Sequence, residues 1–267
     1  MRLDDVRGFV FDVDGSLVHR GSDFRARPLP GAARVLDAIR ASGRPLVLFT
    51  NGSHIGPDAF ARGLREAGLP VEDRELLTPV CSALSYLARR FPGRPAMVFG
   101  SEATRERMAR AGVPLVDGEE TEVVFVAHVE EVDLGALERA ARAVSRGARL
   151  LTANYQRGYW GANGVVFSRG AMVTAAIAKV TGARPVVVGK PSRAAVREIS
   201  DRLGVPSPQL AVIGDDLGMD IALGHLGGSR TILVRSGISG SVDLARVPEK
   251  QRPDAVVDGV EEMLGWL

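Results

Sequence analysis

The sequence predicts an α/β fold built on parallel sheet, and three observations carry that prediction. Short continuous apolar runs recur along the chain, beginning with Phe9-Val10-Phe11 and Leu46-Val47-Leu48-Phe49. Such runs suit strands buried on both faces. Segments with apolar residues at helical spacing alternate with these runs, which implies a sheet with helices on both faces. Small polar or acidic residues and glycines follow several of the runs, and in such sheets chemistry collects beyond the carboxyl ends of strands.

The elements follow in order. Phe9 to Phe11 form the first strand, and it delivers Asp12-Val13-Asp14-Gly15-Ser16. Residues 28–42 read as a helix that Pro30 and Gly31 open, with Val35, Leu36 and Ile39 as its apolar stripe and Gly43 as its stop. Residues 45–49 form a second buried strand ending in Thr50-Asn51-Gly52-Ser53. Pro57 begins a helix with Phe60, Leu64 and Ala67 on one face, closed by Gly68. The middle of the chain repeats the alternation: helix 78–90, strand 96–99, helix 101–111, strand 122–127, helix 134–146, strand 149–152, a loop, strand 164–167 and helix 171–181. None of these strands ends in a carboxylate cluster. The last third returns to the first pattern. Strand 185–188 ends in Gly189-Lys190-Pro191-Ser192, helix 193–203 follows, and strand 210–213 ends in Gly214-Asp215-Asp216-Leu217-Gly218-Met219-Asp220. A short helix 221–226, strand 230–234, strand 254–257 and a closing helix to Leu267 complete the chain.

Asp12 and Asp14 are two apart, so at a strand's end they leave the same side of the backbone. Two carboxylates in one place repel unless a cation sits between them or one is protonated. Alone, the stretch also fits a solvated Asp-x-Asp-Gly turn. Four strand ends with polar clusters are more specific: Asp12/Asp14, Thr50/Asn51, Lys190 and Asp215/Asp216/Asp220. Carboxylates with open coordination positions suit Mg²⁺, which keeps waters and takes phosphate oxygens. Lys190 and the Thr50-Asn51-Gly52 donors suit the remaining phosphate oxygens. The chain has three lysines, Lys179, Lys190 and Lys250, against 31 arginines. Keeping lysine at Lys190 fits a need for a compact point charge there, though chance retention is the alternative.

Composition excludes other classes. The net charge is +2 with no basic stripe, so nucleic acid and anionic membrane are not expected partners. One cysteine, Cys81, rules out an intrachain disulfide and a cysteine-rich zinc site, and fits a small packed residue. The first seven residues are too charged for a signal peptide, and no apolar run approaches ~18 residues, so a cytoplasmic protein is expected. The four histidines, His19, His54, His128 and His225, show no ligand spacing. Gly161-x-x-Gly164 is not a dinucleotide fingerprint, because it does not follow the first strand.

Taken together, the four motifs resemble those of the haloacid dehalogenase (HAD) superfamily of phosphatases. Asp12 to Gly15 match its first motif, Thr50 its second, Lys190 its third, and Gly214-Asp215 with Asp220 its fourth. The long insertion between the second and third motifs resembles subclass IIA, the NagD-like and p-nitrophenylphosphatase-like subgroup. The resemblance implies a doubly wound, Rossmann-like core at 1–77 and 185–267 and an inserted α/β cap of the C2 type at 78–184. It implies that Asp12 is the nucleophile forming an aspartyl-phosphate and Asp14 the general acid and base. Mg²⁺ would sit on Asp12, the Asp14 main-chain carbonyl and Asp215. Thr50, Asn51, Gly52 and Lys190 would hold the phosphate, and Asp220 would orient a metal water or Lys190. Asp216 would join the metal or cap the following helix. Hydrolysis of a small phosphorylated metabolite is the expected activity: a sugar phosphate, a phosphoglycolate-like or a pyridoxal phosphate-like compound. Phosphoryl transfer to another acceptor and a non-catalytic phospho-acceptor or binding module stay open, as does a homodimer through the cap. One departure bears on selectivity. Where the subgroup reads Asn-Pro-Asp, this chain reads Asn154-Tyr155-Gln156, losing a negative charge. Tyr155, Tyr159 and Trp160 either pack the cap or, with Asn154 and Gln156, face the leaving group.

Overall fold

The computed structural model describes residues 2–21, 25–161 and 164–267, with side chains at 159–161, 164 and 165 outside the description. The chain divides into two compact units: Met1–Thr50, Pro57–Leu77 and Pro191–Leu267 form the first, and Asn51–Gly56 and Thr78–Lys190 the second.

The first unit is built on a six-stranded parallel sheet in the order Ala255–Val257, Arg230–Val234, Leu210–Gly214, Gly8–Phe11, Leu46–Phe49, Leu76–Leu77. Gly8–Phe11 is central, with Phe11 paired to Ile213 on one side and to Leu48 on the other. The order reverses at this strand, since the chain continues to Leu46–Phe49 on one flank and returns at Leu210–Gly214 on the other. A crevice forms outside the carboxyl end of a strand at such a switch point, and Asp12 is the next residue. Phe9 and Phe11 are fully buried and stack at 6.4 Å between ring centroids. Helix Ala32–Ala41 buries Ala32, Val35, Leu36 and Ile39, a spacing that puts all four on one face.

Three local expectations are corrected here. The helix expected at 28–42 is Ala32–Ala41, because Pro28 pairs with Val18 in an antiparallel hairpin of Val18–Arg20 with Ala26–Pro28. Those strands are too short and polar to show alternation. The closing helix is a 3₁₀ segment, Val260–Gly265. The helix expected at 221–226 is preceded by a π-helical turn, Leu217–Ile221, in which the Ile221 amide reaches the Asp216 carbonyl at 3.2 Å.

The second unit has a four-stranded parallel sheet in the order Val186–Val187, Arg149–Thr152, Val123–Val126, Ala96–Phe99. Phe125 is fully buried in it. A hairpin, Gly158–Gly161 with Gly164–Phe167, adds a strand in what the sequence reads as loop. Residues 51–56 and 185–190, expected with the first and last thirds, group with this unit. Val186–Val187 pairs with Arg149–Thr152 at the edge of its sheet, and the Val188 and Gly189 amides continue onto the Thr152 and Ala153 carbonyls.

Candidate active site

Asp12 and Asp215 follow neighbouring parallel strands, and the Asp12 amide donates to the Ile213 carbonyl at 2.8 Å, one step past the paired residues. Asp220 comes back to the same place through the π-helical turn. Its Oδ2 accepts from the Asp216 amide at 3.1 Å, and its side chain packs onto Gly214, where a Cβ would lie 2.2 Å from Asp220 Cγ. Asp12, Asp215 and Asp220 each bring one carboxylate oxygen within 4.8 Å of the others, and Asp215 and Asp220 are only 2% exposed. Two unit charges at this separation, up to 4.8 Å, repel by on the order of 3 kcal/mol at an effective dielectric of about 20. A divalent cation relieves that repulsion, and an all-oxygen donor set selects a hard one.

The carboxylates expected near a metal are distributed as follows. Asp220, expected to act from behind the ligands, stands among the clustered carboxylates. The Asp14 carboxylate accepts from Arg20 Nε at 2.6 Å. Arg20 belongs to the hairpin strand Val18–Arg20, and its guanidinium lies 4.9 Å from the centre of the Phe60 ring. Asp216 Oδ1 accepts from the Gly218 and Met219 amides at 2.7 and 3.2 Å, so its carboxylate caps the turn.

The acids are held by residues that sequence reasoning missed. Asp215 Oδ2 accepts from the Ile238 amide at 2.7 Å, and its carbonyl from the Ser239 amide at 3.0 Å. A Cβ on Gly237 would lie 1.9 Å from that carboxylate. The Ser236 hydroxyl donates to the Gly15 carbonyl at 2.6 Å, and Ser239 Oγ accepts from the Leu217 amide. Ser16 is fully buried, with Oγ 3.4 Å from Asp12 Oδ2 and 3.5 Å from Asp215 Oδ1. Gly15 has φ of +93°, and a Cβ there would sit 2.4 Å from Asp215 Oδ2. A signal was present: Ser236-Gly237-Ile238-Ser239-Gly240 follows the buried strand Arg230–Val234, so it is a fifth strand end rich in glycine and hydroxyls.

Thr50 follows Leu46–Phe49, is 4% exposed, and its amide donates to the Leu77 carbonyl. Within the second unit, Lys190 is 3% exposed and its main chain is gripped by Asn51. Asn51 Nδ2 donates to the Lys190 carbonyl at 2.9 Å and Oδ1 accepts from the Lys190 amide at 2.8 Å. The side chain of Asn51, one of the expected phosphate-binding residues, is thus bonded to the Lys190 main chain. Gly52 is half-buried.

The expected selectivity segment lies in the second unit. Asn154 Oδ1 accepts from Ser168 Oγ at 3.3 Å, Tyr155 is 43% exposed and Gln156 half-buried, while the side chains of Tyr159 and Trp160 lie outside the described residues. Two histidines without sequence spacing meet: the His54 and His128 rings are edge to face at 5.9 Å. His128 Nε2 lies 2.6 Å from Glu130 Oε1, and His128, followed by Arg169, holds the Glu130 carboxyl below its ordinary pKa. Cys81 is buried, with Thr78 Oγ1 and Arg107 each 3.8 Å from its sulfur, as a packed residue would be. No helix among the described residues is long and apolar enough to cross a membrane.

Known proteins resemble this chain in sequence and fold. A family model described as "Haloacid dehalogenase-like hydrolase" matches residues 9–114, and one described as "HAD-hyrolase-like" matches 187–263. Over 262 residues the chain is 32% identical to ribonucleotide monophosphatase NagD of Escherichia coli strain K12, covering 97% of this chain and 98% of that protein. The solved p-nitrophenyl phosphatase from Archaeoglobus fulgidus matches with a TM-score of 0.87 at 29% identity, over 98% of this chain and all of that one. A glycerol phosphate phosphatase from Mycobacterium tuberculosis, solved in complex with magnesium, matches with a TM-score of 0.83 at 27% identity, over 96% of this chain and 77% of that one. With a relative of that identity along nearly its whole length, and family models on both its early and its late motifs, the chain belongs to the haloacid dehalogenase-like hydrolases and is a phosphatase of their NagD-like branch.

Proposed function

We propose that the protein is a Mg²⁺-dependent phosphomonoesterase that works through an aspartyl-phosphate on Asp12. The observation that carries the reading is the clustering of Asp12, Asp215 and Asp220 beyond the central strands of the first sheet. Three carboxylates fit a hard divalent ion, and the magnesium in the mycobacterial relative supports the choice. Asp12, Asp215 and Asp220 would hold it, with the Asp14 main-chain carbonyl as the family pattern implies. When bound, the ion offsets the repulsion between a carboxylate nucleophile and a phosphate dianion.

The residues then divide the work. An Asp12 oxygen attacks phosphorus in line as the bond to the leaving oxygen breaks. Asp14, once its carboxyl turns from Arg20 and takes up a proton, gives that proton to the leaving oxygen, so the product leaves as an alcohol. In the second half, Asp14 takes a proton from the attacking water, the Asp12–phosphorus bond breaks, and inorganic phosphate leaves. Thr50, Gly52 and Lys190 hold the equatorial oxygens, where the transition state concentrates charge. Ser16 and the 236–239 loop keep Asp12 and Asp215 in place.

The substrate is a small phosphorylated metabolite. The relatives named for ribonucleotide monophosphates and glycerol phosphate support a sugar phosphate or a similar compound over a phosphoprotein. The second unit serves as a cap that selects the leaving group, with Tyr155 and Gln156 as the residues to vary. The test is turnover of p-nitrophenyl phosphate with and without Mg²⁺, followed by a panel of phosphorylated metabolites. Mg²⁺-dependent release of equal amounts of phosphate and alcohol is expected. Alcohol in excess of phosphate would mark transfer to another acceptor, and no turnover of any panel member would end the reading.

A further inference from the structure

We infer that Asn51 is a positioning residue that acts through Lys190, holding the lysine main chain so that its ammonium can meet phosphate. This rests on the reading of Lys190 as a phosphate-binding residue. The two residues are 139 apart in sequence, yet one side-chain amide meets both polar groups of the Lys190 main chain, at 2.8 and 2.9 Å. The pattern also assigns the amide, since only its oxygen can accept from the Lys190 N–H and only its nitrogen can donate to the carbonyl. It does what a neighbouring strand would do one step beyond the end of the paired segment, where the Val188 and Gly189 amides still reach Thr152 and Ala153. Gly189 has no room for a side chain. A Cβ there would lie 2.3 Å from the Ala153 carbonyl oxygen, 2.7 Å from Asn51 Oδ1 and 3.0 Å from Pro79 Cγ. Lys190 is 3% exposed, so a shift of its main chain cannot be absorbed by free solvent around the side chain.

The physical need is specific to lysine. Its charge is a point at the end of a four-carbon stem, with none of the planar fork by which arginine orients itself on an anion. The placement of that point depends on where the main chain starts. A displacement of about 1 Å at a group that stabilises the transition state costs up to about 100-fold in rate.

The experiment is a double-mutant cycle on the full-length protein with Asn51→Ala, Lys190→Ala and the double variant. It reads kcat and KM for p-nitrophenyl phosphate, inhibition by inorganic phosphate, and half-saturation by Mg²⁺. Asn51→Ala should weaken phosphate inhibition and lower kcat/KM by roughly 10- to 100-fold, with Mg²⁺ half-saturation unchanged. In the Lys190→Ala background the same change should cost less than threefold, because coupled residues are non-additive. Should Asn51→Ala fail to fold, Asn51→Ser keeps a short, uncharged polar side chain that cannot meet both Lys190 main-chain groups at once, and the same cycle is then run with it. Equal effects of the Asn51 change with and without the lysine amine would overturn the inference, since Asn51 would then act independently. A change in melting temperature with unaltered phosphate inhibition would also overturn it. If Lys190→Ala itself leaves phosphate inhibition unchanged, the phosphate assignment of Lys190 fails first.

Discussion

The two units use the same architecture and put different residues at its open ends. Each has a parallel sheet with fully buried central strands, Gly8–Phe11 in one and Val123–Val126 in the other. Beyond the first strand come Asp12 and Asp14, and beyond its neighbour come Asp215 and Asp220. Beyond Val123–Val126 the chain runs through Ala127 and His128 to Asp133, whose carboxylate accepts from the Ala136 amide and caps the helix Leu134–Ser145. A capped acid is satisfied, and asks for no metal. Asp12, Asp215 and Asp220, the last two nearly buried, bring three carboxylates together, and a divalent cation would relieve their mutual repulsion. The fold offers a site in both sheets, and the side chains decide which becomes reactive.

Removing one acid from each unit is the sharpest way to break the comparison. Asp12→Asn should lower kcat by several orders of magnitude while inorganic phosphate still binds, because shape is kept and the attacking charge is lost. Asp133→Ala should leave kcat within about twofold and cost roughly 0.5–2 kcal/mol in a denaturant melt, as an N-cap loss does. Retention of more than a few per cent of kcat by Asp12→Asn would remove the covalent step.

Metal dependence comes next. A chelator should abolish turnover and Mg²⁺ restore it, with Ca²⁺ a poor substitute because its larger, irregular shell misplaces the reacting groups. Asp220→Asn should raise the Mg²⁺ needed for half-activity, and Asp216→Asn should not, since asparagine caps the turn as well as aspartate does. Equal effects of the two changes would place Asp216 with the metal after all.

A smaller loss is expected where only support is touched. Gly15→Ala forces a side chain into a left-handed backbone position and against Asp215. It should destabilise by about 1–3 kcal/mol and slow turnover by at least about tenfold, measured by melting and by kcat at saturating Mg²⁺. The smallest effect tests the second unit: Gln156→Asp should reorder a panel of phosphorylated metabolites while changing kcat/KM for p-nitrophenyl phosphate by less than about threefold. An unchanged ranking would remove Gln156 from selectivity.

Much of this was legible from one chain. The strands at 96–99, 149–152 and 230–234 and the helix at 193–203 stand where their sequence patterns put them. A run such as Ala96-Met97-Val98-Phe99 has no polar face, and a capped segment such as Ser192 to Gly204 carries its own start and stop. These are local signals, and local physics reads them. Asp12, Thr50 and Asp215 could be named as candidates by the same local reasoning, because each follows a buried run and a buried run must end somewhere polar. What the sequence could not determine is which groups meet after the ends of those runs. Asp220 joins Asp12 and Asp215 only because a π-helical turn folds it back onto Gly214. The Ile238 amide reaches Asp215 across 23 residues, and the Asn51 side chain takes both bonding groups of Lys190 across 139. Val186–Val187 joins the second sheet, not the first, through its pairing with Arg149–Thr152. A hydrogen bond between distant residues depends on strand order and on the path of the loops, and neither is written in the spacing of residues along the chain.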